Sequence, residues 1–221
     1  MRSFSGKEKI SKFDKIEVEC KKAREKLGRK ESYKVRDGSI NIVDRSLSKP
    51  KVDWKNRNEI ILPHKVLSIE ELEEAHNRDK TSLGLLKPKE IIDFYNTEEL
   101  QIYKKTDLSY TVNLDGDRIP IVLDIPHIFK YKFTCESGTH NMQCEDWELF
   151  ESYRRWGQRY KNIDILWEKL KDKFFYKMKN EKDLHFIMGT HSQYPTWFII
   201  GLYYPPKKKD RSKSNQKRLF M

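Results

Sequence analysis

Cys135, His140 and Cys144 lie within ten residues, and Asp146-Trp147-Glu148 follows at once, making this the densest grouping of metal-ligating and proton-transferring side chains in the chain. Thiolate and imidazole at such spacing suit Zn²⁺, but a structural zinc site takes four ligands, so His185, His191 or Asp146 would have to complete the set. The CxxC pairs of strong zinc patterns are missing. The competing reading makes Cys135 the last apolar residue of a strand face and Cys144 a small hydrophobe at the start of a helix.

A second chemistry draws on His140, Asp146, Glu148 and His191. Carboxylates and imidazoles held together bind a catalytic cation, Mg²⁺ or Zn²⁺, or shuttle protons, as a metal-dependent nuclease of genome-defence type would require. Asp146 and Glu148 also sit in the first turn of an expected helix, where the macrodipole favours acids without any catalysis. Glu19-Cys20-Lys21 has the form of the (D/E)xK half of a nuclease motif, yet the upstream acid is missing, because Asp14 is too close. A phosphate-cradling Gly-rich loop, a GxSxG elbow and an HExxH helix are all lacking, which disfavours P-loop hydrolysis and serine hydrolase chemistry.

Charge points elsewhere. The net charge of +11 is unevenly spread: residues 1–67 hold 19 Lys and Arg against 10 Asp and Glu, residues 207–221 hold 7 against 1, and residues 68–206 hold 19 against 23. The leading expectation is therefore a nucleic-acid-associated binding protein, for DNA or RNA, that engages phosphates at its two ends. Lys21, Lys22, Arg24, Arg29, Lys30 and Arg36 would form one patch, with Tyr33 and Trp54 available to stack on bases. Lys207, Lys208, Lys209 and Arg211 open a polycationic tail whose bland alternative is a solubilising segment without a partner. Near its end, Gln216-Lys-Arg-Leu219-Phe220 is similar to the Gln-x-x-Leu-Phe peptide that docks bacterial replication proteins on a sliding clamp, although Lys replaces the preferred Leu at its second position. That similarity implies a third reading, an interaction module recruited through Gln216, Leu219 and Phe220.

The elements that must position these residues follow from local patterns. Ser68-Ile-Glu-Glu71 is a capping box and predicts a helix over 69–77 whose exposed face is acidic. Helical spacing of Leu149, Tyr153, Trp156 and Tyr160 predicts a helix over 146–160, with Ser152 on its outer side. A stripe from Ile163 to Met178 predicts another over 163–179, capped by Asn162. Strands are expected at Ser39-Ile-Asn-Ile-Val, Ser82-Leu-Gly-Leu-Leu, Glu90-Ile-Ile-Asp-Phe-Tyr, in a hairpin about Asp115-Gly116, and at Phe129 to Cys135, where apolar and polar residues alternate. Lys15 to Lys26 reads as a strand passing into a helical turn. His185-Phe-Ile-Met-Gly and Trp197-Phe-Ile-Ile-Gly-Leu-Tyr-Tyr read as two more strands, the second apolar on both faces and so expected at the centre of a sheet.

This order lacks regular βα alternation and predicts an α+β protein with a mixed or antiparallel sheet and three main helices. One compact domain is expected over residues 1–206, frayed over 1–12, with a flexible basic tail over 207–221. Aromatic residues at 12% argue against disorder. Three cysteines without a disulfide framework, no secretory h-region and no apolar run of roughly 18 residues place the expected protein in the cytoplasm, with no membrane span. The chain resembles a family of small uncharacterised prokaryotic proteins in Glu31-Ser-Tyr, Ser82-Leu-Gly-Leu-Leu-Lys-Pro-Lys-Glu-Ile, His140-x-Met142-x-x-x-Asp146-Trp-Glu and Gly201-Leu-Tyr-Tyr-Pro-Pro. The resemblance implies no activity.

Overall fold

The computed structural model describes residues 10–23, 29–36, 38–49, 54–97, 110–112, 118–120, 129–191 and 196–207. Four short strands open it: β1 (Lys15–Glu17), β2 (Cys20–Lys22), β3 (Tyr33–Val35) and β4 (Asn41–Asp44), paired as two antiparallel ribbons, β1 with β4 and β2 with β3. Two short strands thus take the place of the expected strand-to-helix segment as far as Ala23. The remainder of that segment, Asp37, the Asp115-Gly116 turn and the start of the chain through residue 9 lie outside the described residues.

Helix α1 (Trp54–Ile61) has no apolar stripe to announce it. Its inward residue is Arg57, only 7% exposed, whose guanidinium donates to the Leu47 carbonyl (2.7 Å) and the Lys49 carbonyl (3.1 Å) and lies 4.3 Å from the Phe13 ring centroid. Carbonyl dipoles and ring faces together stand in for the water a buried cation loses. Trp54 packs edge-on against Phe13 and Tyr203, so it is a wedge between the N-terminal segment and the body rather than a free stacking surface.

β5 (Lys65–Val66) leads into α2 (Ile69–Asp79), which begins with the full reciprocal capping box between Ser68 and Glu71. β6 (Leu83–Leu86), β7 (Glu90–Asn96) and the small hairpin β8 (Tyr110–Val112) and β9 (Arg118–Pro120) follow. Next come the long hairpin β10 (Phe129–Cys135) and β11 (Gly138–Gln143), then α3 (Trp147–Tyr160) and α4 (Ile163–Lys171). α4 continues through a π-helical stretch, Asp172–Lys177, into α5 (Met178–Glu181), and β12 (His185–Thr190) and β13 (Trp197–Tyr203) complete the body. No helix among the described residues is long and apolar enough to cross a membrane.

Two sheets carry the core. One is antiparallel, in the order β11-β10-β7; the other is mixed, β13-β12-β6-β5, with only the β5–β6 pairing parallel. β12, not β13, is central; β13 ends its sheet, and its outer flank is closed by the Cys144–Ile199 bridge and by the Glu145 N–H donating to the Ile199 carbonyl at 2.7 Å. That seam joins the sheets and explains why an end strand is apolar. Phe94, Phe129, Tyr131 and Phe133 from one sheet, Phe186, Ile199 and Leu202 from the other, and Leu149, Leu166, Leu170 and Phe174 from the helices form one buried cluster. Ser152, expected outside, is buried as well.

The π-helical stretch has a geometric cause. Leu166, Leu170, Phe174 and Met178, all buried, recur every fourth residue, and at about 100° per residue each such step overshoots a full turn by about 40°. A wider turn cancels the drift and keeps Phe174 and Met178 on the core. The buried Tyr131 hydroxyl donates to the Phe174 carbonyl inside that turn. Tyr131→Phe removes this donor and is expected to cost about 1–3 kcal/mol in urea unfolding; an unchanged midpoint would mean that the carbonyl has another donor.

Candidate functional site

The β10–β11 hairpin decides the fate of the Cys/His segment. Cys135 pairs with Gly138 at its tip, while Cys144 bridges Ile199 beyond its open end. From Gly138, opposite Cys135, to Cys144 is six residues along the strand, about 20 Å at ~3.3 Å per residue, whereas zinc holds thiolates at about 2.3 Å. The two sulfurs therefore cannot share an ion. Both cysteines are buried, and burial pushes the Cys144 thiol well above its usual range, which keeps it protonated. Among the described residues no group of three or more His, Cys, Asp or Glu is placed to hold a metal.

His140 stays near Cys135. Its Nε2 lies 3.2 Å from Ser137 Oγ, which is 3.0 Å from Cys135 Sγ and accepts the Ile69 N–H at 3.2 Å. The hairpin tip is thereby docked on the start of α2, and the Glu136 N–H adds a bond to the Leu67 carbonyl.

Asp146 and Glu148 sit at the other end of the hairpin. Asp146, 4% exposed, caps α3 by accepting the Leu149 N–H at 2.8 Å and accepts the Leu202 N–H of β13 at 3.0 Å. Burial raises its pKa in spite of these two donors. For Glu148 the balance is reversed: burial would raise it, but ion pairing with Lys173 (2.8 Å) and the Tyr204 hydroxyl (2.6 Å) leave it lowered. Tyr204 in turn is pushed up by burial and by its bond to Glu148. Asp146 and Glu148 thus brace α3 against β13 and the π-helical turn. His191 lies past the Trp197 end of β13, whereas Asp146 meets the Leu202 end. The four candidate catalytic residues occupy three separate places.

Most of the described basic candidates have structural duties. Lys22 Nζ donates to the Lys30 carbonyl and sits 4.8 Å over the Tyr33 ring. Arg29 donates to the Thr190 carbonyl (2.7 Å), Lys30 pairs with Asp79 (2.6 Å), Arg36 pairs with Glu19 (2.6 Å), and Lys207 donates to the Lys179 carbonyl (2.8 Å). The Lys30 contact, with Thr81, holds Asp79 down to about 2. Lys21 is different: it stands directly opposite Lys34 in the β2–β3 ribbon, both exposed, with no acidic partner among the described residues. Lys34 was not singled out from sequence, because only the strand register reveals that pairing. Arg24, Lys208, Lys209, Arg211, Gln216, Leu219 and Phe220 lie outside the described residues.

The segments behind the family resemblance meet in space. The Glu31 carboxylate accepts from Ser82 N (3.0 Å) and Oγ (2.8 Å), and the Asp146-Trp-Glu segment grips Leu202 and Tyr204 of Gly201-Leu-Tyr-Tyr. Comparison with curated proteins and with solved structures finds no match. A family model described as a domain of unknown function (DUF8757) matches residues 64–221, a span that starts after α1, leaves the β2–β3 ribbon outside and takes in both sheets. The chain belongs to this DUF8757 family.

Proposed function

We propose that this protein binds nucleic acid through phosphate contacts made by its N-terminal ribbon and its basic C-terminal segment. The observation that supports the reading is the Lys21–Lys34 pair: like charges facing one another across a ribbon repel, and an exposed pair without acids is relieved by an anion laid over it. Tyr33, 55% exposed on the opposite face of the same ribbon, offers a ring for stacking. A two-stranded ribbon also has the width of a B-DNA major groove. Contacts of this kind recognise the backbone and carry no sequence information.

The test is fluorescence anisotropy with single- and double-stranded oligonucleotides, DNA and RNA, between 50 and 200 mM salt. Affinity is expected to fall steeply with salt. Lys21→Ala with Lys34→Ala should reduce the log–log salt slope for duplex DNA by about 1.8, at ~0.9 per phosphate released. Undetectable binding at low salt, or binding indifferent to salt, removes the reading.

A further inference from the structure

A second basic feature lies in the body. Lys87, Lys89, Lys179, Lys182 and Lys207 line a pocket of about 190 Å³ together with Pro88, Glu90, Ile91, Met178 and Leu184. These lysines come from three distant stretches of chain that are fastened to one another there. The Lys207 N–H donates to the Glu181 carbonyl (2.9 Å), the Asp183 N–H to the Pro205 carbonyl (2.8 Å), and Lys182 bridges Pro206. Lys89 is fixed through its own N–H on the Thr134 carbonyl at 2.8 Å.

Acids do not cancel this charge. Glu90 is the one acid in the lining and pairs with Lys179 (3.3 Å); at the rim, Asp183 pairs with Lys87, and Glu181 contributes its carbonyl to Lys207. Lys89 and Lys182 have no acidic partner among the described residues. The floor is apolar, since Pro88, Ile91, Met178 and Leu184 are buried. Low-dielectric walls under several cations concentrate the positive field at the pocket mouth. Drug-sized ligands occupy roughly 300–1,000 Å³, so this volume suits one small charged group rather than a whole metabolite.

We infer that this pocket is a phosphate-binding site that takes a terminal phosphate monoester, with Lys89 and Lys182 as its free charges and Lys87, Lys179 and Lys207 holding its shape. A monoester carries up to two negative charges and three acceptor oxygens, which matches several ammonium donors around one small cavity. The phosphate comes either from the end of a nucleic-acid strand or from a free phosphorylated molecule. Only the first source rests on the nucleic-acid reading above.

Titration calorimetry with inorganic phosphate tests the site itself. Saturable binding is expected for the intact chain and for Lys21→Ala/Lys34→Ala, with at least a tenfold loss in Lys89→Ala/Lys182→Ala. Lys89 is exposed and Lys182 half-exposed, neither side chain has a hydrogen-bond or ion-pair partner among the described residues, and circular dichroism of the double variant checks that it is folded. Absence of saturable phosphate binding, or binding unchanged in the folded double variant, overturns the proposal. Oligonucleotides with a 5′- or 3′-phosphate or with hydroxyl ends then identify the source. At least a tenfold preference for one phosphorylated end, abolished in Lys89→Ala/Lys182→Ala, assigns the pocket to strand ends. Phosphate binding without such a preference, or without any oligonucleotide binding, supports the site and assigns it to free phosphorylated molecules.

Discussion

Asp146→Ala is expected to destabilise the protein by about 3–4 kcal/mol near pH 4, because it leaves the buried Leu149 and Leu202 N–H groups without acceptors and removes the cap of α3. The effect should depend on pH in a defined direction. Burial raises the Asp146 pKa above the ordinary 3.8, so between those two values the folded protein holds a proton that the unfolded chain has released. Its contribution is therefore greatest in acid and is lost as pH rises through the raised pKa. The gap between wild type and Asp146→Ala should narrow from pH 4 toward neutrality in urea unfolding. A gap that widened would place the folded pKa below 3.8 and contradict the dominance of burial.

Phe94→Ala should be at least as damaging. Phe94 is fully buried, and its ring centroid lies 4.9 Å from that of Tyr131, 5.5 Å from Trp167, 5.8 Å from Phe129 and 6.4 Å from Phe174. Removing the ring takes the shared partner from β10, α4 and the π-helical stretch at once, so neighbours on three elements would have to move to refill the space. A cost of about 3–5 kcal/mol follows. In a chain of this size it corresponds to a fall in Tm of roughly 6–20 °C by calorimetry. A fall of under two degrees would mean that the aromatic cluster repacks freely.

The elements legible in the sequence are those whose reasons are local. The Ser68/Glu71 box and the Asn162 cap lie within four residues of their own partners, and both are present as read. The alternation of Phe129, Tyr131, Phe133 and Cys135 with Lys130, Lys132 and Thr134 is buried on one side as a strand requires. What escaped has distant causes. α1 turns inward on Arg57, a residue any hydrophobic pattern assigns to solvent, because its carbonyl partners lie eight and ten residues away. β13 looks central because its second flank is covered by Cys144 and Glu145, more than fifty residues upstream.

The candidate chemistry suffered from the same limit. Cys135 and Cys144 are neighbours in sequence, yet an intervening hairpin turns nearness along the chain into separation in space. The lysine pocket shows the converse. Its lysines stand at 87, 89, 179, 182 and 207, among 45 basic residues, and only folding makes them a group. The Asp146-Trp-Glu segment was visible as a concentration of acids, but whether acids do chemistry or bracing depends on Leu202, Lys173 and Tyr204, which the sequence does not place beside them.

The seam at Ile199 has a consequence for how the protein is made. A ribosome completes Cys144 and Glu145 fifty-odd residues before their partner strand, a delay of about 3–11 s at ~5–20 residues per second. Until that strand is made, the β11-β10-β7 sheet is without the partner it meets at the seam, and the Asp146 carboxylate is without the Leu202 amide. Translation that stops before Trp197 strands β12 with a bare edge, a template for pairing with other chains. The two sheets therefore cannot join at this seam until β13 has emerged.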